Sequence, residues 1–225
     1  ILKELSWKNK SVLDVGCGTG LFASKVSKLG TKQVLGIDFS KEAIEIAIQT
    51  HKNHNLEYQV LDVKEIKSKY DVIVSLGTLE HMDDPLKTLK ILKKHLSKNG
   101  KLIVTSPNWT NPRGYILMTL WHLFNAPITL ADLHYQTPVD FQNYAKKLGM
   151  RLKWRTIDRS WAHGEILIRD FQRRLPNVLK DAKLPKNSKN IENFIDWIEK
   201  NILPFDNTLN HSGATGLYVF SSKTK

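Results

Sequence analysis

A single cysteine, Cys17, in 225 residues excludes an internal disulfide framework and any zinc site built from several thiolates, and favours a reducing compartment. No apolar run approaches the roughly 20 residues needed to cross a bilayer. The first ten residues, from Ile1, lack an apolar core followed by a small-residue cleavage site, so no signal peptide is expected and a cytoplasmic setting is. Internal repeats and low-complexity tracts are also missing, which excludes solenoids and compositionally disordered chains. Acidic residues are in short supply: 22 Asp and Glu face 34 Lys and Arg, a formal charge of +12. That balance suits nucleic acid, anionic lipid or an acidic substrate, and it suits plain solvated faces equally well. What is present is 41% hydrophobic residues, enough to build the core of one domain of this length.

Strand and helix patterns alternate from the start. Apolar runs at 11–16, 33–40, 56–62, 70–77 and 101–107 read as strands, and the segments 21–30, 41–52 and 84–100 read as helices. In the last of these, Leu86, Leu89, Leu92 and Leu96 share a helical face and Asn99-Gly100 supplies the stop. Apolar strands alternating with helices predict an α/β fold with a mainly parallel sheet covered on both sides. Beyond 107 the regularity breaks. An apolar insertion at 108–136 is followed by a helix at 137–150 and a strand at 151–158. A basic, partly helical insertion at 159–214 precedes a final strand at 215–223, its best helix at 191–203. The expectation is one domain over 1–225 with insertions after strand five and before the last strand.

The turn after the first strand concentrates glycine in "LDVGCGTG": Gly16, Gly18 and Gly20 alternate behind Asp14, with Cys17 as a small residue between them. Ligands of open parallel sheets bind beyond the carboxyl ends of the strands, beside strand one. Glycines there let the backbone approach a ligand, and the amides opening the next helix face it. Gly18-x-Gly20-x-x-Ala23 with Asp38 about 20 residues later also satisfies a dinucleotide fingerprint, which keeps a nicotinamide cofactor open. Against that, Asp14 just before the turn suits a cation better than a pyrophosphate, and carboxylates recur after strands two and three at Asp38 and Asp62.

The ordered set "VLDVGCGTG", "GIDFS", "LDV" and "YDVIVSLGTLEHMDDP" resembles the class I S-adenosylmethionine-dependent methyltransferases, and "LEHMDDP" resembles their small-molecule branch that includes the ubiquinone-biosynthesis O-methyltransferases. The resemblance covers about residues 11–150. It implies a Rossmann-like seven-stranded sheet, mostly parallel with the last strand antiparallel and flanked by helices, and S-adenosylmethionine as cofactor with S-adenosylhomocysteine as product. By position it implies that Gly16, Cys17, Gly18 and Gly20 line the methionine half, with Asp14 near the ammonium or organising the turn. Asp38 would accept from both ribose hydroxyls with Phe39 beside it, Asp62 would meet the adenine amino group with Val63 near the ring, and backbone around Leu76–Leu79, Leu76 and Gly77 first, would close the site. Each acid also has an ordinary use as a turn former or helix cap.

A hydroxyl acceptor benefits from a base, and Glu80-His81 stand at the end of strand four; His81 is favoured because imidazole titrates near neutrality. Their ordinary alternative is to shape the pocket before Pro85. The [DNS]PP[YFW] signature of amine and base methyltransferases is replaced by "GTLEH", which makes nucleic-acid bases a less favoured acceptor than a small or lipid-like molecule; an RNA or protein methyltransferase and a non-catalytic cofactor-binding module stay open as alternatives. No metal ligand set is assigned, although Glu80, His81, Asp83 and Asp84 crowd together. Residues 112–136 fit a lid over an apolar acceptor, peripheral contact with an anionic membrane, a homodimer contact, or a core helix. Trp109 just before this segment, and His134 and Tyr135 near its end, are candidate acceptor contacts. Arg169, Arg173 and Arg174 suit an acidic group or, more simply, a solvated helix face.

Overall fold

The computed structural model describes residues 1–129, 131–158, 163–205 and 211–223. In chain order the elements are β1 (Ser11–Val15), α1 (Leu21–Ser27), β2 (Gln33–Asp38), α2 (Lys41–Thr50), β3 (Leu56–Val60), β4 (Tyr70–Leu76), α3 (Pro85–Lys94), β5 (Leu96–Pro107), α4 (Pro112–Phe124), α5 (Pro138–Leu148), β6 (Met150–Ile157), α6 (Gly164–Asp181), α7 (Ser188–Asn201) and β7 (Thr215–Ser222). The strands form one seven-stranded sheet in the order β3-β2-β1-β4-β5-β7-β6. Neighbours from β3 to β5 are parallel, as the sequence pattern predicts, while β5, β7 and β6 are antiparallel, with β7 as the antiparallel last strand that the resemblance implies.

Two compact units account for the chain. The first comprises Ile1–Ser106, Asp140–Lys153 and Tyr218–Lys225. Its core is the apolar strand content itself: Leu13, Val15, Ile73, Leu102 and Val104 are sealed together with Leu89 and Leu92 of α3, and Phe141 stacks on Tyr218 with ring centroids 3.6 Å apart.

One boundary differs from the sequence expectation. The helix predicted over 84–100 stops at Lys94, and Leu96 enters β5 opposite Tyr70. Leu96 still packs on the same core cluster, so its helical phase with Leu89 and Leu92 was a coincidence of burial. Asn99, at φ 63, and a register shift between Tyr70 and Val72 take up the extra residues as an irregularity in the strand rather than a helix stop.

The second unit comprises Pro107–Val139 and Trp154–Leu217. Its core joins Leu117 of α4, Ile128, Leu167, Phe171, Leu175 and Val178 of α6, and Ile195 and Ile198 of α7. Helix α6 runs through Pro176, and Leu175 and Val178 near it are buried. Apolar packing there outweighs the lost backbone bond.

A buried ion cluster ties α4 to α6. The carboxylate of Asp170, with its side chain 3% exposed, accepts from Arg113 Nε at 2.7 Å, Arg174 Nε at 3.3 Å and Arg173 at 3.1 Å. Arg174 also donates to the Ile128 carbonyl at 2.7 Å. It is therefore not on the solvated helix face considered above, whereas the exposed Arg169 donates to the Glu165 carbonyl of its own helix. Helix α4 is capped by Asn111, whose side chain accepts from the Gly114 amide at 2.7 Å. It buries Leu117 and leaves Tyr115, Leu123 and Phe124 exposed.

Candidate functional site

The carboxyl ends of β1 and β2, the turns after β3 and β4, and one face of α3 surround a cavity of about 340 Å³ in the first unit. Its wall includes Gly16, Asp38, Phe39, Asp62, Val63 and His81, six of the sequence-predicted residues. The volume falls in the range of small-molecule sites. Thr78, within the segment expected to close the site, also lines it; Met82, Thr88 and Ile91 line it and were not singled out from sequence, because their α3 and loop positions look like ordinary amphipathic packing.

Asp38 is the hinge of the site. Its Oδ2 accepts from the Gly18 amide and its Oδ1 from the Ser40 amide, both at 2.9 Å. The carboxylate thus clamps the glycine turn to the end of β2 while keeping further lone pairs for a ligand's hydroxyls. Ser40 in turn caps α2 by accepting from Ala43 at 3.2 Å. Phe39, next to the clamp, is 88% exposed. A bare aromatic ring at a cavity rim offers a flat apolar face.

The glycines divide by surroundings. Gly18, at φ 52, has open space where a Cβ would stand. Gly20, at φ 83, has the Tyr58 hydroxyl 2.5 Å from that point, and the same hydroxyl donates to the Gly20 carbonyl at 2.8 Å. Tyr58 is thus a site-shaping residue that sequence reasoning missed, because it lies in the middle of β3 where an aromatic reads as core. Gly16 packs against Thr78.

Asp14 lies beneath this turn, 2% exposed. Its Oδ2 has no partner among the described residues. Burial pushes its carboxyl up to about 7; the Ala23 backbone amide opposes this and the nearby Asp38 adds to it. A buried carboxylate of this kind is complementary to a cationic ligand. Cys17, half-buried, donates weakly to the Gly18 carbonyl, and burial followed by the charges of Asp14 and Asp38 raises its thiol to about 12. It is an unreactive turn residue.

Asp62 caps a short 3-10 turn: its Oδ1 accepts from the Lys64 amide at 2.8 Å, and Glu65 completes a capping box. At the end of β4, Gly77 donates to Thr105 at 3.1 Å. The following 3-10 turn, Leu79–His81, buries Glu80 and leaves His81 exposed at the cavity wall. Asp14, Cys17, Gly18, Gly20, Leu76, Gly77 and Glu80 do not line the cavity.

Trp109, His134 and Tyr135 belong to the second unit. Buried Trp109 meets Tyr135 edge-to-face at 5.2 Å, and Tyr135 meets Trp121 at 4.9 Å.

Comparison with known proteins agrees with this geometry. The methyltransferase domain family matches residues 6–193. A ubiquinone biosynthesis O-methyltransferase of Pelagibacter ubique is 32% identical over 172 residues, covering 68% of this chain and 69% of that protein. A tRNA U34 carboxymethyltransferase of Campylobacter fetus is 35% identical over 105 residues, 44% of this chain and 37% of the relative, so the chain spans well under half the length of that protein. Among solved structures, an S-adenosylmethionine dependent methyltransferase from Mesorhizobium loti superposes with a TM-score of 0.60 at 14% identity, covering 96% of this chain and 93% of that one.

Proposed function

This chain belongs to the S-adenosylmethionine-dependent methyltransferase family, and from that premise we propose that it methylates an oxygen of a small or lipid-like acceptor. The observation that carries the acceptor reading is His81 at the cavity wall, in a chain about a third identical, across two thirds of its length, to an O-methyltransferase.

The residues present fit the cofactor. Asp14 offers a buried, partly unsatisfied carboxylate to a ligand that is cationic at sulfur and nitrogen, and Gly18 leaves space against the backbone. In this reading Asp38 accepts from the ribose hydroxyls, Phe39 and Val63 flank the adenine, and Asp62 faces its amino group. Gly16, Cys17, Gly18 and Gly20 shape the turn that receives the methionine end, and Leu76 and Gly77 end β4 behind it. When bound, S-adenosylmethionine supplies a methyl group on a sulfonium, an intrinsically good electrophile. The chain's own task is then to aim the acceptor oxygen and to take its proton. His81 is the proposed base; Glu80, buried one residue earlier, is the second candidate.

Segments 108–136 and 159–214 are proposed as insertions in one methyltransferase domain over 1–225, with Trp109, His134 and Tyr135 as acceptor contacts. Tyr115, Leu123, Phe124 and Leu133, all exposed, suit a lipid-like acceptor or peripheral membrane contact. Among the described residues no helix is long and apolar enough to cross a membrane.

The test is His81→Gln assayed on phenolic and prenylated phenolic acceptors. Loss of a base lowers kcat by about a hundredfold or more, while affinity for S-adenosylhomocysteine stays within about twofold. Near-normal turnover removes the base assignment. Methylation of tRNA, with no activity on phenols, would favour an RNA acceptor, the reading suggested by the relative that acts on tRNA.

A further inference from the structure

The parallel strands place the cavity at their carboxyl ends, and their amino ends gather at the other edge of the same unit. Backbone and side-chain bonds stitch that far edge into a ribbon. The Lys32 amide donates to the Lys10 carbonyl at 2.9 Å, and Asn55 Nδ2 donates to the Thr31 carbonyl at 2.9 Å. Ser11 donates to Asp71 at 2.9 Å, the Tyr70 amide to the His95 carbonyl at 2.8 Å, and His95 Nδ1 lies 2.9 Å from the Ser68 carbonyl.

Segments 8–10, 28–32, 52–55, 67–71 and 93–98 make up this ribbon; they hold ten lysines, all exposed, and one carboxylate, Asp71. The Asp71 carboxyl is held low first by the Ser11 amide and also by Lys10 and Lys32, so those two lysines bear on the same edge. A groove of about 780 Å³ opens on the β2–β3 flank of the ribbon, with Lys32, His54, Asn55, Lys67 and Ser68 in its wall. Glu57 and Glu65 line it as well, but Glu57 is bonded to Gln59 and Glu65 to the Asp62 amide.

Fold requirements explain only part of this charge. Lys93 and Lys94 complement the carboxyl end of α3. Lys8, Lys10, Lys32, Lys67, Lys69 and Lys98 sit in loops and at strand starts, where no helix dipole calls for them and mutual repulsion is a cost.

We propose that this lysine edge docks the phosphate backbone of a nucleic-acid duplex, independently of which acceptor is methylated. Five strands about 4.8 Å apart make an edge of about 19 Å, which gives about one lysine per 2 Å against about one phosphate charge per 1.7 Å of duplex axis. Lysines are point charges that hold phosphates without reading bases. Trp7 and Tyr70, the aromatics within or next to the ribbon, are buried, which disfavours stacking on single strands. Leu29 is its one exposed large apolar side chain, which disfavours insertion into a membrane. A duplex held here lies a strand length, about 17–23 Å, from the cavity, so the edge tethers the enzyme rather than presenting a base for methylation.

The experiment is fluorescence anisotropy with a labelled RNA duplex of about 20 base pairs, the matching DNA duplex, its single strand, and vesicles of phosphatidylserine in phosphatidylcholine. The proteins are the full chain, the triple variant Lys10→Glu, Lys32→Glu, Lys69→Glu, and a control with Lys189→Glu and Lys200→Glu on α7. Expected are duplex binding that weakens at least tenfold in the triple variant, a salt slope smaller by about two to three, and a control within about twofold of the parent. Calorimetry with S-adenosylhomocysteine checks that the triple variant is folded. Acetylation footprinting on the unaltered chain gives a second measurement, in which the duplex should protect Lys10, Lys32 and Lys69. Absence of duplex binding below about 100 μM at physiological salt overturns the proposal. So does binding unaffected by the triple variant, unprotected lysines, or lysine-dependent binding to vesicles alone.

Discussion

Replacing Asp14 with Asn removes one buried charge while keeping the side-chain shape, and its effect on stability follows from the burial. The folded carboxyl stands at about 7 against an ordinary 3.8, mainly through desolvation. Below the ordinary value both folded and unfolded chains hold the proton, and this group's contribution is fully present. As pH rises, the unfolded chain releases the proton first, so stability falls by up to about 1.4 kcal/mol per pH unit until the folded carboxyl also ionises near neutrality. The whole loss is about 4 kcal/mol, with no discount for solvent because the group is sealed. Urea unfolding of both proteins between about pH 5 and pH 8 should then show the native chain losing about 3 kcal/mol relative to Asp14→Asn. At a slope of about 2 kcal/mol per molar, the difference between their midpoints should change by about 1.5 M. Parallel pH profiles for the two proteins would refute the reasoning, since they would mean that Asp14 is solvated or already ionised without cost.

Gly20→Ala combines a left-handed backbone with a collision against the Tyr58 hydroxyl and should cost about 3 kcal/mol in thermal unfolding. Gly18→Ala, with open space at its Cβ position, should cost only about 1–2 kcal/mol; equal losses would mean that the Tyr58 contact is not constraining. In the second unit, Asp170→Ala removes the buried carboxylate shared by Arg113, Arg173 and Arg174 and should lose about 3–5 kcal/mol by chemical denaturation. A loss below about 1 kcal/mol would place that cluster with ordinary surface pairs.

Local chemistry made much of the first unit legible. The glycine turn, the acids closing β2 and β3 and the alternating apolar runs each declare themselves within a dozen residues. The α3–β5 junction did not, because Leu96 carries the helical period although its burial is achieved from a strand. Asp170 and Arg113 meet across 57 residues of sequence, a pairing that no local pattern encodes. Tyr58 gained its meaning only from the parallel register that sets Gly36 beside it. The lysine edge is the extreme case. Its charges are scattered over 8–98 and become a ribbon only when five strand starts are brought into line.

The most direct test of the central claim is calorimetric titration of the protein with S-adenosylhomocysteine, repeated with Asp38→Ala and with NADH as the competing ligand. Asp38 both clamps Gly18 and offers lone pairs to the ribose, so the native chain should bind S-adenosylhomocysteine at one site and the variant about tenfold to a hundredfold more weakly. An affinity unchanged by Asp38→Ala, or binding of NADH in its place, would contradict the assignment of this cavity to the methyl-donor cofactor.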